Sequence, residues 1–105
     1  MQNKLDLINE NVEEATDFLK IMAHKDRMLV LCLLSEGEMG VAKLREYSNL
    51  SQSAFSQHLS VLKKHQLVKV RKQSQLVFYS LADQRVNIIL KAMQQAFCPT
   101  LTSEE

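Results

Sequence analysis

Apolar residues recur at spacings of three and four along the first 22 residues of the chain. They are Ile8, Val12, Ala15, Phe18, Leu19 and Met22, with Glu10, Glu13, Glu14 and Asp17 between them. Because an α-helix has about 3.6 residues per turn, this spacing places the apolar side chains on one face. The pattern predicts an amphipathic helix over residues 8–22.

Three further helices are predicted before residue 66. Residues 28–34 are apolar almost throughout and end near Gly37, which can adopt the left-handed conformation that closes a helix, so they predict a buried second helix. Residues 41–47 predict a short third helix. After a turn at 48–51, Ser51 is placed as the N-cap of a fourth helix that reaches about residue 65. A helix, a short turn and a helix resemble a helix-turn-helix.

The fourth predicted helix divides into an apolar and a polar face. Its inward stripe consists of Ala54, Phe55, Leu59 and Leu62, with Val61 at the margin. The outward side chains are hydrogen-bonding and uncharged at the start of the helix and basic at its end: Gln52, Ser53, Ser56, Gln57, Ser60, Lys63 and Lys64. A recognition helix reads base edges near its N-terminus, where Gln suits adenine, while Lys further along meets phosphate. The outward face therefore suits the major groove of DNA.

Two β-rich segments and a last helix complete the chain. Residues 67–71 and 76–81 predict a hairpin with a polar, basic connection at 72–75, and its loop is expected to exceed two residues because no Asn-Gly or Asp-Gly is present. Asp83 is the expected N-cap of an amphipathic helix that ends at Cys98-Pro99, with the apolar residues Val86, Ile89, Leu90, Met93 and Phe97.

The predicted fold class is α+β and mainly α, a winged helix-turn-helix with five helices and a two-stranded wing. A chain of 105 residues, 46% of them hydrophobic, suits one domain over residues 1–105. Neither a signal peptide nor a run of about 18 apolar residues is present, so we expect a cytoplasmic protein with no membrane partner.

The formal net charge of +1 conceals an uneven distribution along the chain. Residues 1–50 carry −3 and residues 82–105 carry −1, whereas residues 51–81 contain five cations, Lys63, Lys64, Lys69, Arg71 and Lys72, and no acid. Such a local concentration favours a polyanion-binding surface, because attraction to phosphates depends on local charge. A solvated basic face is the alternative interpretation.

The run LSQSAFSQHLSVLKKHQLVKVRKQSQLVFYSL at 50–81 resembles the DNA-binding signature of the ArsR/SmtB family of winged-helix repressors, and MAHKDRMLVLCLL at 22–34 resembles that family's second helix. The resemblance implies a homodimer joined through the first and last helices and bound to inverted-repeat operator DNA. By position it places Gln52, Ser53, Ser56, Gln57 and His58 on the recognition helix, and Arg71, Lys72, Gln73 and Ser74 on the wing.

Many members of this family sense metals, but the corresponding positions here are unsuitable. The metal box of the third helix corresponds to residues 38–43, Glu-Met-Gly-Val-Ala-Lys, which lack its thiolate and aspartate. The zinc positions of the last helix hold Asp83, Arg85, Ala96 and Pro99. One carboxylate beside an arginine is a poor zinc site. We therefore expect neither a metal nor another cofactor.

Cys32 and Cys98 match the cysteine pair of the HlyU/BigR-like subgroup of that family. This resemblance implies a thiol switch that responds to an oxidant or reactive sulfur species, and a role in virulence regulation. A direct disulfide requires α-carbons within about 7 Å, and a longer separation favours a polysulfide bridge or none. The local contexts, an apolar helix and a helix C-terminus, do not favour reactive thiolates, so structural cysteines remain an alternative.

Several other features admit ordinary structural interpretations. His58 either bonds phosphate or supports packing of the turn, while His24 and His65 resemble helix-boundary residues. Ser51 lacks the partners of a nucleophile, so enzymatic activity is not expected. The predicted function is a sequence-specific transcriptional regulator, either a repressor or an anti-silencing derepressor. The alternatives are a winged-helix protein-interaction module and a DNA binder that does not switch.

Overall fold

A computed structural model describes residues 3–98, which form five helices and three strands. In chain order these are α1 (Lys4–Met22), α2 (Lys25–Leu34), β1 (Met39–Gly40), α3 (Val41–Glu46), α4 (Gln52–Lys64), β2 (Val68–Gln73), β3 (Leu76–Leu81) and α5 (Gln84–Phe97). The predicted five helices and hairpin wing are confirmed. Pro99, which was expected just after the last helix, lies outside the described residues.

Side-chain caps set the starts of four helices. Ser51 Oγ accepts from the N–H of Ala54 at 3.2 Å, and Asp83 Oδ1 accepts from the N–H of Arg85 at 2.9 Å, as the sequence predicted. Asn3 Oδ1 accepts from the N–H of Asp6, so α1 begins four residues earlier than its apolar periodicity indicated. His24 caps α2 through its ring Nδ1, which explains its position at a helix boundary.

The sheet contains one strand more than the sequence predicted. Its order is β1-β3-β2, with both pairs antiparallel. β1 is only two residues long, too short for an alternating pattern to reveal it. The expectation of a longer wing loop was wrong, because Gln73 pairs with Leu76 and leaves a two-residue turn at Ser74-Gln75. Ser74 has a φ of 57°, a conformation that a non-glycine residue adopts at modest cost.

The core joins α2, α4 and α5 beneath the base of the sheet. From α4 the predicted inward residues Phe55, Leu59 and Leu62 are at most 3% exposed. They pack in one cluster with Val30, Leu31 and Leu34 of α2, Leu44 of α3, Leu67 and Val68 at the wing base, and Val86 and Leu90 of α5. Phe97 was expected on the inner face of α5, but it is 80% exposed at the end of the helix.

The apolar faces of α1 and α5 stay largely uncovered in the single chain. Met22 is the buried residue of α1, whereas Ile8, Val12 and Leu19 are 44–57% exposed. Between the two helices runs an apolar groove, which Arg85 crosses to reach Glu14 with an Nη1–Oε2 distance of 3.1 Å. Among residues 3–98, no helix has the length and hydropathy needed to span a membrane.

Candidate nucleic-acid interface

The outward face of α4 has the exposure that its sequence predicted. Phe55, Leu59 and Leu62 fix the rotation of the helix because they point into the core. This rotation leaves the predicted polar and basic residues exposed: Gln52, Ser53, Ser56, Gln57, Ser60, Lys63 and Lys64. Hydroxyls and amides lie near the capped start of the helix, and the two lysines lie in its last turn.

A short chain of hydrogen bonds prepares the start of this face. Arg45 Nε, from α3, donates to Gln52 Oε1 at 3.2 Å, and Gln52 Nε2 donates to Ser56 Oγ at 3.4 Å. The Arg45 guanidinium also lies 5.5 Å from the centroid of the Phe55 ring. Gln57 is exposed, and within residues 3–98 its side chain makes no hydrogen bond. Gln57 is therefore the amide on this face that is free to bond a base edge.

His58 turns away from this face toward α2. It is half-buried, its Nδ1 lies 3.4 Å from Arg27 Nη1, and its ring centroid lies 4.2 Å from that of His24. Burial, followed by the positive charges possible on His24 and Arg27, lowers the pKa of His58 and favours its neutral ring. Of the two roles considered from the sequence, this placement favours packing over a phosphate contact.

His24, Asp26 and His58 bring three metal-ligand atoms within 4.8 Å of one another, a proximity that sequence spacing did not reveal. The hydrogen bonds nevertheless oppose coordination. Nδ1 of His24 accepts from the N–H of Asp26, and Nδ1 of His58 faces the donor-only guanidinium of Arg27. With Nδ1 of each neutral ring accepting, the ring proton lies on Nε2, so neither nitrogen of either ring has a free lone pair for a cation. We interpret the cluster as a structural link between α2 and α4.

The cations of the acid-free segment differ in their surroundings. Lys63, Lys64 and Lys72 are exposed and, within residues 3–98, form no ion pair. Arg71 is instead paired with Glu38, through Nε–Oε2 and Nη2–Oε1 distances of 2.9 and 2.8 Å. The bond lowers the pKa of the Glu38 carboxyl and raises that of the guanidinium. Gln73 and Ser74, the other predicted wing residues, are exposed.

The two cysteines are free thiols with different exposure. Cys32 is half-buried in α2, and Cys98 is exposed at the end of α5. Burial raises the pKa of Cys32, and the charge of Cys98 raises it further. A thiolate at Cys98 would therefore oppose ionisation of Cys32, although 66 positions separate the two residues in sequence.

The carboxylates at the family's metal positions have other partners here. Glu38 is bound by Arg71, and Asp83 accepts from the Nη2 of Arg85 at 2.8 Å while it also caps α5. The bond from Arg85 lowers the pKa of Asp83. A cation would have to displace a guanidinium at either site, which agrees with the sequence argument against both sites.

Three residues that organise this interface, Arg27, Glu38 and Arg45, were not indicated by any pattern in the sequence. Each lies before the acid-free segment, and Arg27 and Glu38 act on partners 31 and 33 positions further along the chain. Charge pairs at such distances follow no helical or strand spacing. Of these three residues, Arg45 was the easiest to anticipate, because it lies only seven positions before its partner Gln52, across the predicted turn.

The fold and the exposed face of α4 define a winged-helix DNA-binding regulator. The family described as "Bacterial regulatory protein, arsR family" matches residues 24–70. The transcriptional activator HlyU of Vibrio cholerae is 37% identical over 91 residues, which cover 87% of this chain and 84% of that protein. The chain belongs to the ArsR family of transcriptional regulators, and it is not an enzyme.

Solved structures of related regulators have the same fold. HlyU from Vibrio vulnificus gives a TM-score of 0.84 at 36% identity and covers 91% of this chain and 100% of its own. The transcriptional repressor BigR from Xylella fastidiosa gives a TM-score of 0.82 at 28% identity and covers 92% of this chain and 98% of its own. The predicted resemblance to the HlyU/BigR-like subgroup is thus confirmed.

Proposed function

We propose that this ArsR-family regulator binds inverted-repeat operator DNA as a homodimer and that its cysteine pair switches that binding. The observation that carries the DNA contact is the exposed, acid-free face of α4, whose polar start and basic end are displayed together. Gln57, Ser53 and Ser56 read base edges, with Gln52 and Ser60 beside them, while Lys63 and Lys64 meet phosphates.

The wing supplies the second contact in this proposal. Lys72, Gln73 and Ser74 lie at or beside its two-residue turn and are exposed. A winged helix places such a turn against the backbone of the duplex while its recognition helix occupies the major groove, so these side chains position the protein and do not read the sequence. The absence of acidic residues from segment 51–81 argues against the alternative of a protein-interaction module. We place the action of this regulator in the cytoplasm.

The second copy covers the apolar faces of α1 and α5. Ile88 is 67% exposed, Val12 is 57% exposed, and both belong to faces that the single chain leaves open to water. Uncovered apolar residues on two adjacent helices mark an interface between proteins. A two-fold dimer carries two α4 helices, and this symmetry matches an inverted-repeat operator.

The switch in this proposal is oxidation of Cys32 and Cys98. With peroxide, one thiol becomes a sulfenic acid with release of water, and the second thiol displaces a second water to form the S–S bond. Two electrons and two protons pass from the thiols to one peroxide. With a persulfide donor, each thiol takes the outer sulfur of one donor molecule, which leaves as a thiol, and the two cysteine persulfides then join as a trisulfide with loss of hydrogen sulfide. Because α5 also carries the proposed dimer face, a link from Cys98 to α2 would re-aim the two α4 helices.

The second candidate is a DNA binder with structural cysteines. The raised pKa of Cys32 favours it, because a thiol that stays protonated is a poor nucleophile. The direction of regulation also stays open, since one relative is named an activator and another a repressor.

Genome-wide capture of bound DNA from reduced cells and from peroxide- or sulfide-treated cells tests the proposal. We expect inverted-repeat sites that are occupied in reduced cells and vacated after treatment, with transcript levels giving the direction of regulation. Sites that are equally occupied in both conditions would support the structural cysteines.

A further inference from the structure

The Arg71–Glu38 pair spans the full width of the sheet. Arg71 belongs to β2, and Glu38 immediately precedes β1, on the opposite edge of the order β1-β3-β2. The guanidinium therefore crosses the central strand β3 to reach the carboxylate. Its two N–H···O contacts, at 2.9 and 2.8 Å, form a fork that fixes the orientation as well as the distance.

The central strand supports this crossing. Phe78 of β3 is the residue opposite Arg71 in the ladder, and the guanidinium lies 4.5 Å from the centroid of its ring. Gln73 Oε1 accepts from Arg71 Nη1 at 2.8 Å. Nε, Nη1 and Nη2 all donate within the protein, and the face of the guanidinium is occupied by an aromatic ring.

The pair also connects two parts of the DNA-binding unit. β1 leads without interruption into α3, the first helix of the helix-turn-helix. Arg71 lies three residues before the first residue of the wing turn, Ser74, so the fork ties the outer strand of the wing to the segment that enters α3. The fork thus adds a side-chain link to the ladder of the sheet, between the wing and the segment that leads into the helix-turn-helix.

We propose that Glu38 is a positioning residue for DNA binding and that Arg71 braces the wing through it instead of contacting phosphate. Lys72 is then the phosphate contact of the wing. Side chains alternate along a strand, so Lys72 points to the opposite face from Arg71, and within residues 3–98 it has no ion pair. This inference rests on the interface proposed above.

A competing account makes an opposite prediction. If Arg71 were a phosphate contact, Glu38 would compete with the DNA for it, and removing the carboxylate would strengthen binding. Glu38→Gln also removes one negative charge from the protein, which by itself favours a polyanion. A loss of affinity in Glu38→Gln would therefore run against the electrostatic trend.

The test measures the affinity of the full chain for a mixed-sequence duplex as a function of salt. For Glu38→Gln and Arg71→Gln we expect an affinity about three- to tenfold weaker at every salt concentration, from the added cost of ordering the wing, with the salt slope unchanged. Lys72→Ala should reduce the slope by about 0.9 per protomer, the value for one phosphate contact, and so by about 1.8 for the proposed dimer. The exchanged pair, Glu38→Arg with Arg71→Glu, should restore the affinity to within about twofold of wild type.

Other outcomes would overturn the proposal that the Arg71–Glu38 pair braces the wing. Stronger binding and a steeper slope in Glu38→Gln would make Arg71 a phosphate ligand, and the exchanged pair would then bind worst of all. No change in Glu38→Gln would show that the wing needs no brace. If instead Lys63→Ala, Lys64→Ala and Lys72→Ala all left the slope unchanged, the proposed interface itself would be wrong.

An NMR measurement separates the brace from a general loss of structure. The Arg71 Nε–H signal should shift in Glu38→Gln and stay in place when duplex is added to the wild type. A large shift of that signal on addition of duplex would overturn the proposal. Hydrogen exchange of the β2 and β3 amides, compared with that of α2, should accelerate in Glu38→Gln in the wing alone.

Discussion

Arg27 Nη1 lies 3.4 Å from His58 Nδ1 and joins α2 to α4 across 31 positions of sequence. The same guanidinium is anchored from the other side, because its Nε donates to the carbonyl of Ile21 at 2.6 Å. Arg27 is a permanent donor, so its contact with His58 requires a neutral imidazole. The link between α2 and the proposed reading helix is therefore sensitive to pH.

We expect acid to weaken the fold through His58. Its pKa is lowered in the folded protein, so between that pKa and about 6.5 the unfolded chain binds more protons and the free energy of unfolding rises with pH. Its contribution is present above about pH 6.5 and is lost as pH falls through the folded pKa. Urea unfolding at about pH 7.5 and 5.5 measures the change. His58→Gln should flatten the dependence, whereas an equal flattening in His65→Gln, the matched control, would contradict this role.

Gln57→Ala should reduce discrimination between operator and random duplex by about 1 to 3 kcal/mol, because Gln57 is the amide of the face free to bond a base. Ser56→Ala should have a smaller effect, since its hydroxyl already accepts from Gln52. Competition binding with the two duplexes measures the difference. An equal loss on both duplexes would assign Gln57 to the phosphate backbone.

Replacing Lys63 and Lys64 together by Ala should weaken binding to every duplex and reduce the salt slope by roughly two per protomer, and so by about four for the proposed dimer. Both lysines are exposed in the last turn of α4. Lys43→Ala is a matched control, because Lys43 is an exposed lysine already paired with Glu46 at 3.5 Å. A slope that changed as much in Lys43→Ala would mean that general charge, and not this face, governs binding.

Oxidant or a persulfide donor should weaken DNA binding of the wild type reversibly, and mass spectrometry should find a crosslink between Cys32 and Cys98. Because the pKa of Cys32 is raised, its reaction should accelerate as pH rises. Cys32→Ala and Cys98→Ser should abolish the response yet bind DNA when reduced. Cys32→Ser is the poorer test, since a buried hydroxyl can cost about 1 to 3 kcal/mol. Retention of the full response in both variants would leave the cysteines structural.

Ile88→Glu should convert a dimer into monomers and weaken operator binding more than a hundredfold, because each half-site would then be bound separately. Ile88 is 67% exposed on the uncovered face of α5. Sedimentation of the reduced protein measures the assembly, and Leu29→Glu, at an exposed leucine of α2, is the control. A wild type that sediments as a monomer at the concentration used for DNA binding would contradict the dimer.

The sequence alone determined the elements and the outward face of α4. Local rules decide these features: Ser51 and Asp83 cap helices within a few residues of themselves, and the spacing of Phe55, Leu59 and Leu62 fixes which side of the helix is buried. The sequence also showed the acid-free segment, because the charge of each residue type is known without a structure.

Only the tertiary structure decided which cations are free to contact DNA and which histidine is packed against another helix. Glu38 binds Arg71 across the three-stranded sheet, and Arg27 contacts His58 on another helix. Neither contact follows from a local spacing in the sequence. β1 is a strand because β3 provides its hydrogen-bond partners, and two residues are too few to show the alternation that predicts a strand. Contacts between residues far apart in sequence depend on how the helices and strands pack. The lysines without an ion pair could therefore be identified only from the fold.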